Sequence, residues 1–378
     1  MFDGFTLDRI DVGDVVLRVR QGGTGPPVVL LHGHPRTHTT WHRVAPLLAT
    51  HFSVVCPDLR GYGESSKPPD RTDHGQASKR AMADDIIRLM QRLGYERFAV
   101  VGHDRGAYVA FRAALDHPDS ITHLVILDAV PIGDALARTD ATFATTWWHW
   151  FFFGQPDRPE RAILGDPDAW YRADESALGP ENYADFRAAI HDPATVHAMI
   201  GDYRAGLGVD RATDDADRAA GRRVQCPTLV MWARADDLPA LYGDRVAIWR
   251  SWASNVRGQP VDGGHQMAEE NPVELASKIA QFLRLSPADL RAANASSAVP
   301  LAARVPRTGE LRATVERMEA KLHARSDVAS AGLAETYERV ARRFDHDLAD
   351  PRDVLLSRGA ALMLIQELVR DPTDTTKA

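Results

Sequence analysis

Cysteine is scarce in this sequence, an excess of positive charge is absent, and no long apolar run occurs. Only two cysteines stand among 378 residues. Cys56 and Cys226 lie far apart, each beside a proline at the edge of an apolar run. That excludes a disulfide framework and a cysteine-based metal cluster, and both read as buried reduced thiols. A net charge of −7 excludes a broad basic surface for non-specific nucleic-acid binding. It also means that an anionic substrate needs a local positive pocket. No stretch approaches the length of a membrane span. The N-terminus, MFDGFTLDRIDVGDVVLRVR, mixes acids and bases without the apolar centre of a secretory signal. The expectation is a cytoplasmic protein with neither nucleic-acid nor membrane partners. The remaining composition, 44% hydrophobic and 26% charged, is ordinary for a globular chain.

What is present is alternation. Short β-branched runs recur at 15–20, 27–33, 52–58, 98–104, 122–128 and 227–233, most of them separated by helical patterns such as 78–94. Strands alternating with helices predict a mostly parallel α/β sheet covered on both faces, with functional loops at the strands' carboxyl ends. The alternation stops after Asp128. Residues 131–221 carry helix-like segments and many aromatics, including WWHWFFFG at 147–154, but no convincing strand. We read a helical cap at 131–221 inserted into an α/β core formed by 1–130 and 222–286. Residues 287–309, rich in Ala, Ser and Pro, read as a linker. Beyond it, 310–378 reads as a helical extension. Leu311, Val315, Met318 and Leu322, then Leu333, Tyr337, Val340, Phe344 and Leu348, mark an apolar stripe there. The cap or this extension offers a surface for a homodimer.

The chemistry concentrates in FAVVGHDRGAYVAF, 98–111. An apolar strand runs into a sharp turn and then a helix. The turn's glycines, Gly102 and Gly106, have the spacing that frames the nucleophile in Gly-x-Ser-x-Gly. Here the residue at the tip is Asp104. A carboxylate attacks amides and esters poorly, but it can displace a leaving group from saturated carbon and form an ester that water then cleaves. The second step needs a base and an oxyanion site. His265, in the glycine-flanked VDGGHQM, is the candidate base. The backbone N–H groups of His34 and Arg105 are the candidate oxyanion donors. The imidazole needs an acid to fix its tautomer. Asp128 and Asp236 both end strands at suitable places, and chain order does not separate them.

Residues from about 10 to 285 resemble the haloacetate (fluoroacetate) dehalogenases of the α/β-hydrolase superfamily, on the motifs HDRGA, LDAVP, WWHWFFFGQP and DYRAG. The resemblance implies an α/β-hydrolase fold with a helical cap, and hydrolysis of haloacetate to glycolate and halide without cofactor or metal. It makes Asp104 the nucleophile, favours Asp128 over Asp236 as the acid, and gives Arg105 the substrate carboxylate. His149, Trp150 and Tyr203 become the halide ligands. That set suits the chemistry, because imidazole N–H, indole N–H and phenol O–H are neutral donors that can converge on a small anion. Trp147, Trp148 and the neighbouring phenylalanines read as packing.

One departure stands out. The family carries a second carboxylate-binding arginine three residues after Arg105, and this chain has Tyr108 there. Arg36, just after the oxyanion strand, is a candidate replacement, whereas Arg112 reads as structural. Two rival readings share the fold. An epoxide hydrolase uses the same aspartate with a pair of cap phenols, for which Tyr171, Tyr183 and Tyr203 are available. A non-catalytic binder is free to lose the nucleophile or the histidine, and both stand here.

Overall fold

The computed structural model describes residues 1–284, so the linker at 287–309 and the extension at 310–378 lie outside the described residues. Eight strands form one sheet: β1 (Thr6–Asp11), β2 (Val16–Gly22), β3 (Pro27–Leu31), β4 (Ser53–Pro57), β5 (Phe98–His103), β6 (Ile121–Leu127), β7 (Thr228–Ala233) and β8 (Val256–Val261). Their order is β1-β2-β4-β3-β5-β6-β7-β8. β1 and β2 pair antiparallel with each other, as do β2 and β4, and every later pairing is parallel.

The centre of the sheet follows from its composition. Every residue of β5, FAVVGH, is buried, as expected of a parallel strand covered on both faces. One face packs Val29, Leu31 and Val100 against Ile86 and Leu89 of the helix Lys79–Arg92 and against Phe111. The other packs Val28, Val101 and Leu127 against Leu48, Leu275 and Ile279. Each such aliphatic side chain contributes about 1.5–3 kcal/mol by leaving water.

Two strands were not foreseen, and both lie at edges. β1 is largely exposed, so it lacks the apolar run that marks a buried strand. β8 contains Gly258 and Pro260, which argue against a strand interior but are tolerated at an edge. A Cβ on Gly258 would lie 2.2 Å from Val246 Cγ2, so close packing of the flanking helix requires the glycine.

Between β6 and β7, from Ile132 to Ala219, the regular elements are all helical. This insertion is fastened to the core by buried polar contacts. Arg112 meets Asp214 and Asp217 of the helix Arg211–Ala219, and Trp252 Nε1 donates to Asp134 at 2.6 Å. Arg112 is structural. No helix among the described residues is long and apolar enough to cross a membrane.

Candidate active site

Asp104 follows β5 and precedes the helix Arg105–Asp116, with φ of 50° and ψ of −118°. That conformation is costly for a non-glycine residue and needs a surrounding structure that enforces it. Close backbone approach supplies the constraint. A Cβ on Gly102 would stand 2.2 Å from Gly106 O, and one on Gly106 would stand 2.4 Å from His32 O. A Cβ on Gly33 would strike Asp104 Oδ1 at 2.3 Å. The glycines therefore let strand, turn and oxyanion loop close on one another.

The carboxylate is held in a definite orientation. His34 N–H donates to Asp104 Oδ1 at 2.7 Å, and the Arg105 backbone N–H also donates to the carboxylate. Oδ2 faces the histidine, 3.9 Å from His265 Nε2. Burial alone would raise the Asp104 carboxyl. His265, His103, Arg105 and the backbone donor outweigh it and hold the pKa below its ordinary value. The group is an anion, with one oxygen bound and the other available.

His265 lies in a loop after β8. Gly263 takes φ of 117°, and Glu270 accepts from the N–H groups of Gly264 and Gln266 at 2.5 and 3.1 Å. The imidazole meets two acids. Nδ1 lies 2.9 Å from Asp128 Oδ2 and 3.1 Å from Asp236 Oδ2. Asp128 comes from the end of β6, where its Oδ1 accepts Ala233 N–H at 3.2 Å, and Asp236 comes from just beyond β7. The structure thus brings together both candidates that chain order left open.

This arrangement is a coupled proton site. Burial raises Asp128 to about 7 despite the neighbouring imidazole. Asp236 goes the other way: burial would raise it, but hydrogen bonds with His265 and Asp128 hold it low. Burial opposes a charge on His265, yet hydrogen bonds to Asp128 and Asp236 hold its pKa well above the ordinary value. Two carboxyls and one imidazole at this distance titrate as one coupled set.

The cap closes the site. A cavity of about 270 Å³ is lined by His34, Asp104, Tyr108, Asp128, Thr146, Trp147, His149, Trp150, Tyr203, Asp236, Asp237 and His265. His149, Trp150 and Tyr203 therefore share one chamber with Asp104. Burial lowers His149 to about 4 and His34 to about 3, so both imidazoles are neutral at pH 7. His34 and His149 also border an aromatic vestibule of about 540 Å³, lined further by Trp148, Phe153, Trp170, Tyr171 and Arg172. Trp147, read from the sequence as packing, lines the chamber and donates through Nε1 to Asp237 at 2.8 Å. Thr146 and Asp237 were also missed. The paired acids of ARADDLP were the available signal for Asp237.

The family model for the alpha/beta hydrolase fold matches residues 26–272. A fluoroacetate dehalogenase of Burkholderia sp is 42% identical over 292 residues, which cover 75% of this chain and 95% of that relative. The chain belongs to the haloacetate dehalogenase-like family of the α/β-hydrolase superfamily. A soluble epoxide hydrolase of Corynebacterium sp. (strain C12) is also similar, 33% identical over 66% of this chain and 87% of its own length. Among solved structures, an alpha/beta hydrolase from Nostoc sp PCC 7120 gives a TM-score of 0.73 at 41% identity, covering 76% of this chain and all 100% of that one. A Pseudomonas aeruginosa variant described as an epoxide hydrolase, with bound MFA, gives 0.69 at 43% identity over 78% and 99% of the two chains.

Arg105, to which the resemblance gave the substrate carboxylate, does not line the chamber in this structure. Its guanidinium is fully buried and turned to the cap: Nη2 donates to Asp202 Oδ1 at 2.8 Å and to Asp202 O at 3.0 Å, and Nε approaches Oδ2 at 3.3 Å. Tyr203 covers it, with the guanidinium carbon 4.2 Å from the ring centroid, and Tyr108 and Trp150 flank it at 5.2 and 5.6 Å. The expected carboxylate clamp thus stands behind the aromatic wall, paired with an acid. Asp202 precedes Tyr203 in DYRAG, and nothing local to that motif marks it as the partner of an arginine 97 residues away in sequence. Arg36, the other candidate, is bidentate to Glu269 at 2.9 and 3.0 Å.

Proposed function

We propose that this enzyme hydrolyses a carbon–halogen bond through a covalent ester on Asp104. The observation that carries the reading is the sharing of one chamber by an oriented carboxylate and three neutral donors, His149, Trp150 and Tyr203. In the first step Asp104 Oδ2 forms a bond to the halogen-bearing carbon. The carbon–halogen bond breaks, and the halide leaves with the electron pair toward the cap donors. In the second step water adds to the Asp104 carbonyl carbon and its proton passes to His265 Nε2. The charge gathering on the carbonyl oxygen meets the N–H groups of His34 and Arg105, and collapse, with His265 Nε2 giving its proton to the departing oxygen, releases the alcohol. Ester formation removes the Asp104 anion, one of the interactions that raise His265. The imidazole therefore becomes easier to deprotonate at the stage that needs a base.

The epoxide-hydrolase reading is less well supported. Of its three cap phenols, Tyr203 alone lines the chamber; Tyr171 lines the vestibule, with its hydroxyl 3.2 Å from His34 Nε2. Single turnover in heavy-oxygen water tests the mechanism. Label should enter an Asp104 carboxylate oxygen, and label confined to the released product would sink the ester. Diol formation from a small epoxide without halide release from any halide would favour the rival. Haloacetate, the substrate the resemblance implies, needs a cation for its carboxylate, and there this chamber departs from the family.

A further inference from the structure

The chamber holds an excess of acids and no free cation. None of its lining residues among the described ones is Lys or Arg, while Asp104, Asp128, Asp236 and Asp237 all line it. The three positions from which a cation could serve are each accounted for. Arg105 is paired with Asp202 behind the rings of Tyr203 and Trp150. Arg36 is a fork matched to Glu269, its guanidinium lying 4.8 Å from the Phe186 ring centroid. Position 108, where the family places its second arginine, is a neutral tyrosine whose phenol is raised further by burial. The remaining cation of the chamber, His265, is already held by two carboxylates through Nδ1. Arg172 is exposed and lies on the vestibule, on the other side of His34 and His149.

A substrate carboxylate here would therefore be desolvated beside the Asp104 anion without a compensating charge, and an unpaired buried charge is among the costliest arrangements a site can contain. A neutral polar group faces no such penalty. Asp237 accepts from Trp147 through Oδ2, and its buried Oδ1 has no hydrogen-bond partner. Tyr108 presents a phenol to the same chamber. Carboxylate and phenol oxygens are acceptors for an amide N–H or an alcohol O–H. We infer that the chamber takes short uncharged halogenated substrates of the 2-haloacetamide or 2-haloethanol type, in preference to haloacids. This rests on the ester mechanism proposed above. With 2-chloroacetamide, Asp104 Oδ2 bonds to the CH₂ carbon and chloride leaves with the bonding pair. Water then cleaves the ester, giving 2-hydroxyacetamide, chloride and one proton.

The test is chloride release by the full-length chain from 2-chloroacetamide, 2-chloroethanol and chloroacetate. Each kcat/KM is divided by that compound's rate with free acetate ion, which removes intrinsic reactivity. At least one neutral compound should exceed chloroacetate by tenfold or more. Tyr108→Arg should raise chloroacetate at least tenfold relative to chloroacetamide. Asp237→Asn, which keeps an acceptor for Trp147, should move the ratio the same way by severalfold. A wild-type preference for chloroacetate, or a ratio unmoved in both variants, overturns the inference while leaving the ester mechanism standing. No chloride from any of the three compounds overturns the mechanism itself.

Discussion

Two charge clusters flank Asp104, one partly open at His265 and one fully buried around Arg105 and Asp202, and they are built to opposite ends. On one side His265 is held by Asp128 and Asp236, two acids for one base. On the other side Arg105 and Lys79 meet Asp202 and Asp210, two bases for two acids, with Tyr62 also donating to Asp202 at 2.6 Å. In the balanced cluster each acid meets a base. Burial would raise Asp202, but Arg105 and Lys79 hold it far below the ordinary carboxyl value. In the unbalanced cluster two acids compete for one nitrogen, and burial pushes Asp128 to about 7. A matched set of charges fixes geometry, whereas an unmatched set keeps a proton ready to move.

The comparison breaks most sharply at the histidine. His265→Ala should stop ester hydrolysis without stopping ester formation, a loss of about 10⁴-fold in turnover by analogy with triad residues. Mass spectrometry of the substrate-treated variant should show alkylated Asp104 accumulating, and an unmodified protein would reassign the histidine. Next come its acids. Because Asp128 and Asp236 both reach Nδ1, each single Asn variant should lose about 10²-fold, and only the double variant should approach 10⁴. Full loss in Asp128→Asn with a silent Asp236→Asn would restore a single acid.

The balanced cluster should answer in stability. Asp202→Asn leaves Arg105 and Lys79 buried with a partner lost, which costs about 3–5 kcal/mol of folding free energy. Urea unfolding measures it, and a loss below 1 kcal/mol would show that the cluster tolerates imbalance. The smallest effect is in pH. The base must be neutral, and His265 is held above its ordinary pKa, so turnover should rise with pH through and beyond neutrality. Asp236→Asn removes one of the stabilising acids and should move that rising limb to lower pH. A limb that stays in place would mean that Asp128 alone sets the histidine.

Much of this was legible in the sequence, for reasons that also explain what was not. The six strands foreseen are apolar runs, and β1 and β8 escaped because edge strands need neither full burial nor a glycine-free interior. Asp104, His265, Asp128 and Asp236 were visible because glycine frames and strand ends are local features. The ion pair of Arg105 was not, because it depends on a partner 97 residues away in sequence. A motif records which residue stands beside the nucleophile. It does not record which way a long side chain turns once a buried acid competes for it. Tyr108 was the local hint, since a guanidinium drawn to the cap leaves an aromatic to close the wall.

The elbow carries one more consequence. Gly102 and Gly106 are barred from holding a side chain by backbone atoms, and Gly33 by the β-carbon and carboxyl of Asp104; the close backbone approach at Gly102 and Gly106 does not depend on which side chain sits at position 104. The frame is thus a socket, and the reactive group is a replaceable part. Changing the tip exchanges one class of reaction for another on an intact scaffold, while changing Gly102 or Gly106 removes every class together. Evolution of new chemistry on this chain is therefore cheapest at its most reactive residue, and most strictly forbidden at two residues that react with nothing.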